Sequence, residues 1–444
     1  MMQPIELAAS QRASALRAGN RYFSAQLEPI SALSSPCSSA APAYDLVDVS
    51  LPDWAADLGV GDRRALVVDA ACVVPGHGEP YERCDWLRAA GLHLEGWLEQ
   101  SIESDRGPIH SYALRLPQRW SRAYDHAWVN RIFLFLRRWA AHRTGRTEDS
   151  LFGPRPRAAF MLTHDVDALE KTPAIRMKRI VVEAVAAARL ASANRWRDAV
   201  ARIGAGTRFA VTHADYWLFD DLCALEASAG YRSLFLFADR GAGKRRPVAW
   251  LLDPGYRIDD PRVAGLMRKL IERGWEVGVH PGVDSWNDAV AQASIVRSAT
   301  QSSGQDIELC RQHWLRFSWK DTWAAQAAAG IKIDFTLGFN DRPGFRNGAA
   351  LRYHPWNSGT AAPHAVESVP TVLMDSHFYD YAYPADPGAA MQPWVDEVVA
   401  VGGEASLLWH VHTMHEEYGW ADGYRRLLDL LKQRDARVVA ARGS

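Results

Sequence analysis

No two cysteines of this 444-residue sequence stand close enough to form a metal knuckle or a redox motif. The five, Cys37, Cys72, Cys84, Cys223 and Cys310, are odd in number and widely spaced. This excludes a thiolate zinc site and speaks against a disulfide scaffold. Long apolar runs are missing too: none reaches the ~18 residues that a spanning helix needs. The first twenty residues carry no apolar h-region, so no secretory signal is read there and a cytoplasmic chain is expected. Neither sign of charge is in excess. Lys and Arg number 51 against 52 Asp and Glu, a formal net charge of −1, so no global field draws the chain to nucleic acid. There is no GxSxG elbow for a serine hydrolase, and no internal repeat.

What is present is an ordinary globular composition, 48% apolar and 23% charged. At ~150 residues per domain the length allows two or three domains. Tryptophan is plentiful, with 18 residues. Most belong in a core, but an indole face also matches the C–H face of a sugar ring.

Along the chain, 30–43 is rich in Ser, Pro and Ala and reads as a linker. Residues 65–74 read as a strand ending at Pro75-Gly76, and 85–100 and 126–142 have helical apolar spacing. The Gly-, Pro- and charge-rich stretch 143–157 is a natural boundary. It separates an N-terminal accessory α/β domain, 1–150, from a second domain over 157–440. In the second, short apolar strands alternate with helical segments. Strands are predicted over 158–163, 233–238, 276–280, 332–337, 371–376 and 406–412, with helices over 219–230 and 260–274 among others. Asp260 and Pro261 cap the latter helix and Gly274 stops it. This alternation predicts parallel strands and an α/β fold. Residues 171–202 read as one long basic amphipathic helix, either a solvated insertion or a segment lying on a membrane surface.

The chemistry gathers where apolar strands end. "AAFMLT" runs into His164, Asp165, Val166 and Asp167; "EVGV" ends in His280, with Asp284 four residues on; "SLLW" ends in His410, with His412 and His415 just beyond. In α/β barrels the C-terminal strand ends build the active site. Two carboxylates one residue apart call for a cation beside them. Asp167, the His280 imidazole and Asp284 make a mixed ligand set with room for water, a catalytic rather than structural pattern. Imidazole and carboxylate together suit one divalent ion, zinc first among zinc, iron, cobalt, nickel and manganese. Asp165 is then the candidate general base, and a His across the site the candidate acid.

In order, "LTHDVDAL" (162–169), "EVGVHPG" (276–282), "RQHWLRF" (311–317), "IDFTLGFNDRPGFRNG" (333–348), "VPTVLMD" (369–375) and "LLWHVH" (407–412) resemble the motifs of the polysaccharide deacetylases of carbohydrate esterase family 4. The nearest likeness is to a bacterial branch whose first motif is DxD. The resemblance covers roughly 157–435 and implies a distorted (β/α)7-type barrel. It implies Asp165 as base and Asp167 and His280 as metal ligands, with Arg311 holding the base. It further implies Asp334 orienting the acid and His410 as that acid. Asp284 stands where the family has a second His, leaving Asp284, His412 or His164 to complete the ligand set. His313 stands where the family has Pro. Trp314 and Trp409 adjoin motif residues and, with His412, are candidate substrate contacts.

The expectation is a metal-dependent hydrolase that removes N-acetyl or related acyl groups from an amino sugar or glycan. Two rivals stand beside it. One is a catalytically degenerate barrel that binds glycan or scaffolds an assembly. The other is a DxD glycosyltransferase, which finds no Gly-rich strand–helix turn before 158 and gives His280 and His410 no task. Expected partners are a carbohydrate and, through 171–202, a membrane surface.

Overall fold

The computed structural model describes residues 4–33, 43–239, 255–357, 360–382 and 384–443. Most of the 30–43 stretch, with Cys37, lies outside them. The N-terminal part is chiefly helical, with a hairpin pairing β1 (Val47–Ser50) and β2 (Arg64–Val67) antiparallel. The strand predicted over 65–74 thus stops early. Asp69 is the cause: its carboxylate accepts from the Ala71 N–H and caps a single turn over Ala70–Cys72. The helix predicted over 85–100 is two, Trp86–Leu94 and Trp97–Arg106. Between them Gly96 sits at φ 62°, and a Cβ there would meet the Trp319 ring at 2.0 Å. Helix Trp128–Thr144 lies close to its predicted place. Phe133 and Trp86 belong to the same buried cluster as Leu407 and Leu431, so the two halves of the chain share one core. A fully buried ion pair, Arg346–Glu99 at 2.9 Å, also joins them.

From residue 159 on, strands and helices alternate. The strands are β3 (Ala159–Val166), β4 (Leu234–Phe237), β5 (Glu276–Val279), β6 (Leu309–Cys310) and β7 (Ile333–Asp334). A minor hairpin of β8 (Trp356–Asn357) and β9 (Ala362–Pro363) follows. Then come β10 (Glu367–Ser368), β11 (Thr371–Met374), β12 (Glu404–Leu408) and β13 (Arg437–Val438). The sheet order is β10-β7-β6-β5-β4-β3-β12-β11, with β13 beside β3. Every pairing in it is parallel. The sheet curls. Thr371, on the end strand β11, donates its N–H to Leu337 O and its hydroxyl to Phe335 O, both at 2.8 Å, on the chain leaving β7. The result is a distorted, incompletely closed α/β barrel, with eight strands on the path where about seven were expected. Strands β6, β7, β10 and β13 are only two residues long, too short for apolar periodicity to mark.

β3 is buried at all eight positions, as a parallel strand covered on both faces must be. Period-two geometry then sorts its side chains. Phe160 and Leu162 join Phe235, Phe237, Val277 and Val279 in the layer packed under the helices. Met161 joins Leu234, Leu236, Leu309 and Phe335 in a separate cluster inside the barrel. Above Met161, the inward positions are Thr163, Asp165 and Asp167.

The helical stretch predicted over 171–202 is a hairpin of two helices, Pro173–Ser192 and Trp196–Val211, with Asn194 left-handed at the turn (φ 58°). It follows β3 and stands over the same barrel rim.

Candidate metal and catalytic site

The inward line of β3, with the residue just past its end, carries the two carboxylates of the DxD; the outward position before them carries His164. The His164 ring bonds to Trp409 O and to Glu226 Oε1, both at 2.7 Å, in the layer outside the barrel. It cannot reach an ion held inside the rim.

Asp167, His280 and His313 come together, one ligand atom from each lying within 4.8 Å of the others. The Nε2 atoms of His280 and His313 lie 3.3 and 3.6 Å from Asp167 Oδ1, and that buried oxygen accepts no hydrogen bond. His280 donates its Nδ1–H to Arg311 O at 2.6 Å, leaving the Nε2 lone pair to face the carboxylate. One carboxylate and two imidazoles, at least one fixed in the ligating tautomer, fit a divalent ion such as zinc. Burial alone would raise the Asp167 carboxyl. The His313 charge, contacts from both imidazoles and the His410 charge instead hold it well below the usual carboxylate range. Asp284 is not in this group. Proximity in sequence to His280 suggested it, but the residue that joins Asp167 and His280 within ligand reach is His313, two residues beyond Arg311.

Asp165 lies beside the triad, its Oδ2 3.6 Å from His280 Nε2. Arg311 donates to its Oδ1 at 2.8 Å. The guanidinium is fully buried and satisfied: Nε gives to Phe335 O, and Nη2 to the hydroxyls of Thr163, Thr371 and Ser406. A buried charge is tolerable only when paired and bonded in this way.

Across the site, His410 Nε2 is 3.7 Å from Asp167 Oδ2. Its orienting carboxylate is Asp375, not Asp334. Asp375 accepts from His410 Nδ1 at 2.8 Å, from the His410 N–H at 2.9 Å and from the Thr413 hydroxyl at 2.8 Å. Asp334 sits instead below the rim, accepting from Trp323 Nε1 at 3.0 Å, Gln326 Nε2 at 2.7 Å and the Thr336 hydroxyl. Burial opposes charge on His410. The adjacent Asp375, with Asp167 and Asp165 behind it, nevertheless pushes its pKa up to about 9.

A cavity of about 310 Å³ opens over these groups. Trp314 and His412 line it; Trp409 does not. Trp409, the residue after β12, faces outward and is fully buried against Tyr424 and Tyr379, so it is no sugar platform. Trp314 holds a left-handed conformation (φ 57°, ψ 25°), and its carbonyl accepts from Asn340 Nδ2 at 2.6 Å. Such strain persists where surrounding contacts enforce it, often at functional sites. Burial and the His410 charge push His412 down to about 3, so it is neutral.

Sequence reading thus missed His313 and Asp375. Asp375 carries the same signal that picked out Asp165, a carboxylate ending an apolar strand. His313 has the i, i+2 relation to Arg311 that Asp167 has to Asp165.

No family model and no curated protein matches the chain. Solved structures similar to it include a Mycobacterium smegmatis protein assigned as a polysaccharide deacetylase. The likeness is 14% identity over 64% of this chain and 87% of that one, with a TM-score of 0.37. A Pseudomonas aeruginosa PAO1 protein with the same assignment is 11% identical over 66% and 93%, TM-score 0.35. The Xyl-CE4 domain of a multidomain xylanase from the hindgut metagenome of Trinervitermes trinervoides is 9% identical over 64% and 88%, TM-score 0.31.

Proposed function

We propose that this chain is a metal-dependent hydrolase that removes N-acetyl or related acyl groups from an amino sugar or glycan. The observation that carries the proposal is the opposition of two held groups across the Asp167–His280–His313 triad. On one side is a carboxylate paired with a buried guanidinium, on the other an imidazole whose second nitrogen is taken by Asp375. Amide hydrolysis needs that pair: a base for water and an acid for the leaving amine.

A divalent ion held by the triad would polarise the acyl carbonyl and lower the pKa of a water. Asp165 takes one proton of the attacking water, whose oxygen bonds to the acyl carbon. Arg311 keeps Asp165 ionised and aimed. As the C–N bond breaks, His410 Nε2 delivers its proton to the departing nitrogen, and Asp375 stabilises the imidazolium until then. Trp314, at the rim, offers its ring to the sugar. The His313 imidazole favours an enzyme over a degenerate barrel, since that alternative drew on a missing second His ligand.

The test combines metal analysis with amine release from N-acetylated sugars. Wild type should carry about one divalent ion per chain and release amine. Asp167→Ala should lose the ion, and Asp165→Ala should keep it but release no amine. Full activity in Asp165→Ala, or no bound metal in wild type, would end the proposal.

A further inference from the structure

Eight of the ten large apolar side chains that stand exposed among the described residues lie on one element, the hairpin 173–211. On the first helix Met177, Val181 and Val185 are 50%, 54% and 47% exposed, at the i, i+4 spacing of a single stripe. On the second, Trp196, Val200 and Ile203 are 63%, 67% and 58% exposed, again along one side. Water is a poor neighbour for so much clustered apolar surface.

The element is also strongly basic. Residues 173–211 hold eight Lys and Arg against Glu183 and Asp198, a formal +6 in a chain whose total is −1. The basic groups divide by direction. Arg179 and Arg202 turn inward, onto Asp380 and Glu183. Lys178, Arg189, Arg195, Arg197 and Arg208 remain exposed. Trp196 heads the second helix at the hairpin turn, between Arg195 and Arg197. An amphipathic ring flanked by cations is the usual composition of a bilayer-interface anchor. No helix among the described residues is long and apolar enough to cross a membrane, so such an element would lie on a surface rather than span it.

The stripe runs into the site. Val181 and Val185 are exposed, yet also line the cavity over His280 and His410, as do Ile175 and Val182. Lys178 and Arg189 line it too, and neither makes an ion pair among the described residues. Lys178 Nζ lies 4.4 Å over the Trp314 ring. An apolar wall, two cations and an aromatic ring beside the proposed hydrolytic centre match three parts of one molecule: an acyl chain, a phosphate and a sugar.

We infer that the hairpin 173–211 docks on an anionic bilayer surface, opening the cavity to it, and that the site takes an amino sugar carried through phosphate on a membrane lipid. The substrate half of this rests on the hydrolase reading; the docking half does not.

The experiment is flotation of the full chain with vesicles of phosphatidylcholine containing about 30 mol% phosphatidylglycerol, against pure phosphatidylcholine. Wild type should float with the anionic vesicles and be released as salt rises. The triple variant Trp196→Glu/Val200→Glu/Ile203→Glu, whose sites lie off the cavity, should lose at least tenfold in bound fraction while keeping its circular dichroism and bound metal. Wild type left at the bottom of the gradient overturns the inference. So does a triple variant that floats as well as wild type. So too does a non-floating wild-type dimer that the triple substitution splits, since a second copy would then cover the stripe. Flotation without amine release from any N-acetylated sugar would sink the hydrolase and keep the docking; amine release from a soluble sugar without flotation would do the reverse.

Discussion

Two histidine–carboxylate pairs, one buried and one partly buried, flank the barrel wall, and nearly identical bonds serve opposite ends. His164 meets Glu226 at 2.7 Å; His410 meets Asp375 at 2.8 Å. His164 is sealed: its other nitrogen is spent on Trp409 O, and Glu226 also takes Ser233, Trp275 and Tyr424. His410 keeps its Nε2 toward Asp167 and the cavity. The difference is strand parity. His164 occupies an outward position and looks at helices, while His410 follows an inward line of β12 and looks at the site. Whether such a pair is structural or chemical depends less on its bond than on what the second nitrogen can reach.

Removing one member of each pair should separate the two roles. His410→Ala should lower amine release by about 10²–10⁴-fold, the usual worth of a general acid, and should also cost stability, because Asp375 is left buried without its imidazole. Glu226→Gln should cost stability alone. Removing one partner of a buried ion pair costs ~3–5 kcal/mol, read as a lower denaturant midpoint, while the folded fraction keeps its metal and turnover. Burial would raise the Glu226 carboxyl, but His164 holds it lowered. A lowered carboxyl pKa stabilises the fold above the unfolded value of ~4.3 and loses that contribution as pH falls. The Glu226→Gln deficit should therefore shrink in acid. A Glu226→Gln protein as stable as wild type at neutral pH would dissolve the distinction.

A smaller effect tests the open pair alone. His410 is raised to about 9, against burial, by Asp375 first and then Asp167 and Asp165. As an acid it must be protonated, so kcat/KM should fall as pH rises through the His410 pKa, which Asp375 holds above the usual imidazole value. In the metal-free protein the same shift contributes stability below the unfolded value of ~6.5 and loses it across that window. Asp375→Asn should move the alkaline limb to lower pH. Asp334→Asn, though buried, should leave it where it is, because Asp334 bonds to Trp323, Gln326 and Thr336 rather than to His410. An Asp334→Asn profile shifted like that of Asp375→Asn would restore the assignment drawn from the motif.

Much of the site was legible because its residues follow apolar strands. Asp165, Asp167, His280 and His410 end β3, β5 and β12, and the chain delivers all four to one rim. The errors have one source. Asp284 and Asp334 were chosen by motif spacing, but spacing along a chain does not say which way a side chain points. Parity does: it admits Asp167 and excludes His164, and it admits His410 and excludes Trp409. His313 was passed over because β6 is two residues long and shows no alternation from which direction could be read, whereas Asp375 ends an apolar strand as Asp165 does and was passed over because motif spacing gave its role to Asp334. The hairpin was read as a single helix because Asn194 is one left-handed residue in an otherwise helical stretch. Tertiary packing, through Ala186, Ala187, Leu190 and Ala199, decides where the chain turns back.

The smallest expected effect separates two tryptophans that the sequence could not tell apart. Trp314 lines the cavity and Trp409 lies behind the wall. If Trp314 stacks on the sugar, Trp314→Ala should raise KM by about 2–10-fold, the range that ~0.5–1.5 kcal/mol of aromatic contact implies, with kcat less affected. Trp409→Phe should leave KM within about twofold. It trims a ring held by Tyr379 and Tyr424 whose Nε1 gives no hydrogen bond, so its cost should fall on stability, at ~1–3 kcal/mol for an imperfectly filled core site. A Trp409→Phe protein with weakened substrate binding and unchanged melting would mean that the strand wall yields when substrate enters, and that parity alone does not set the boundary of the site.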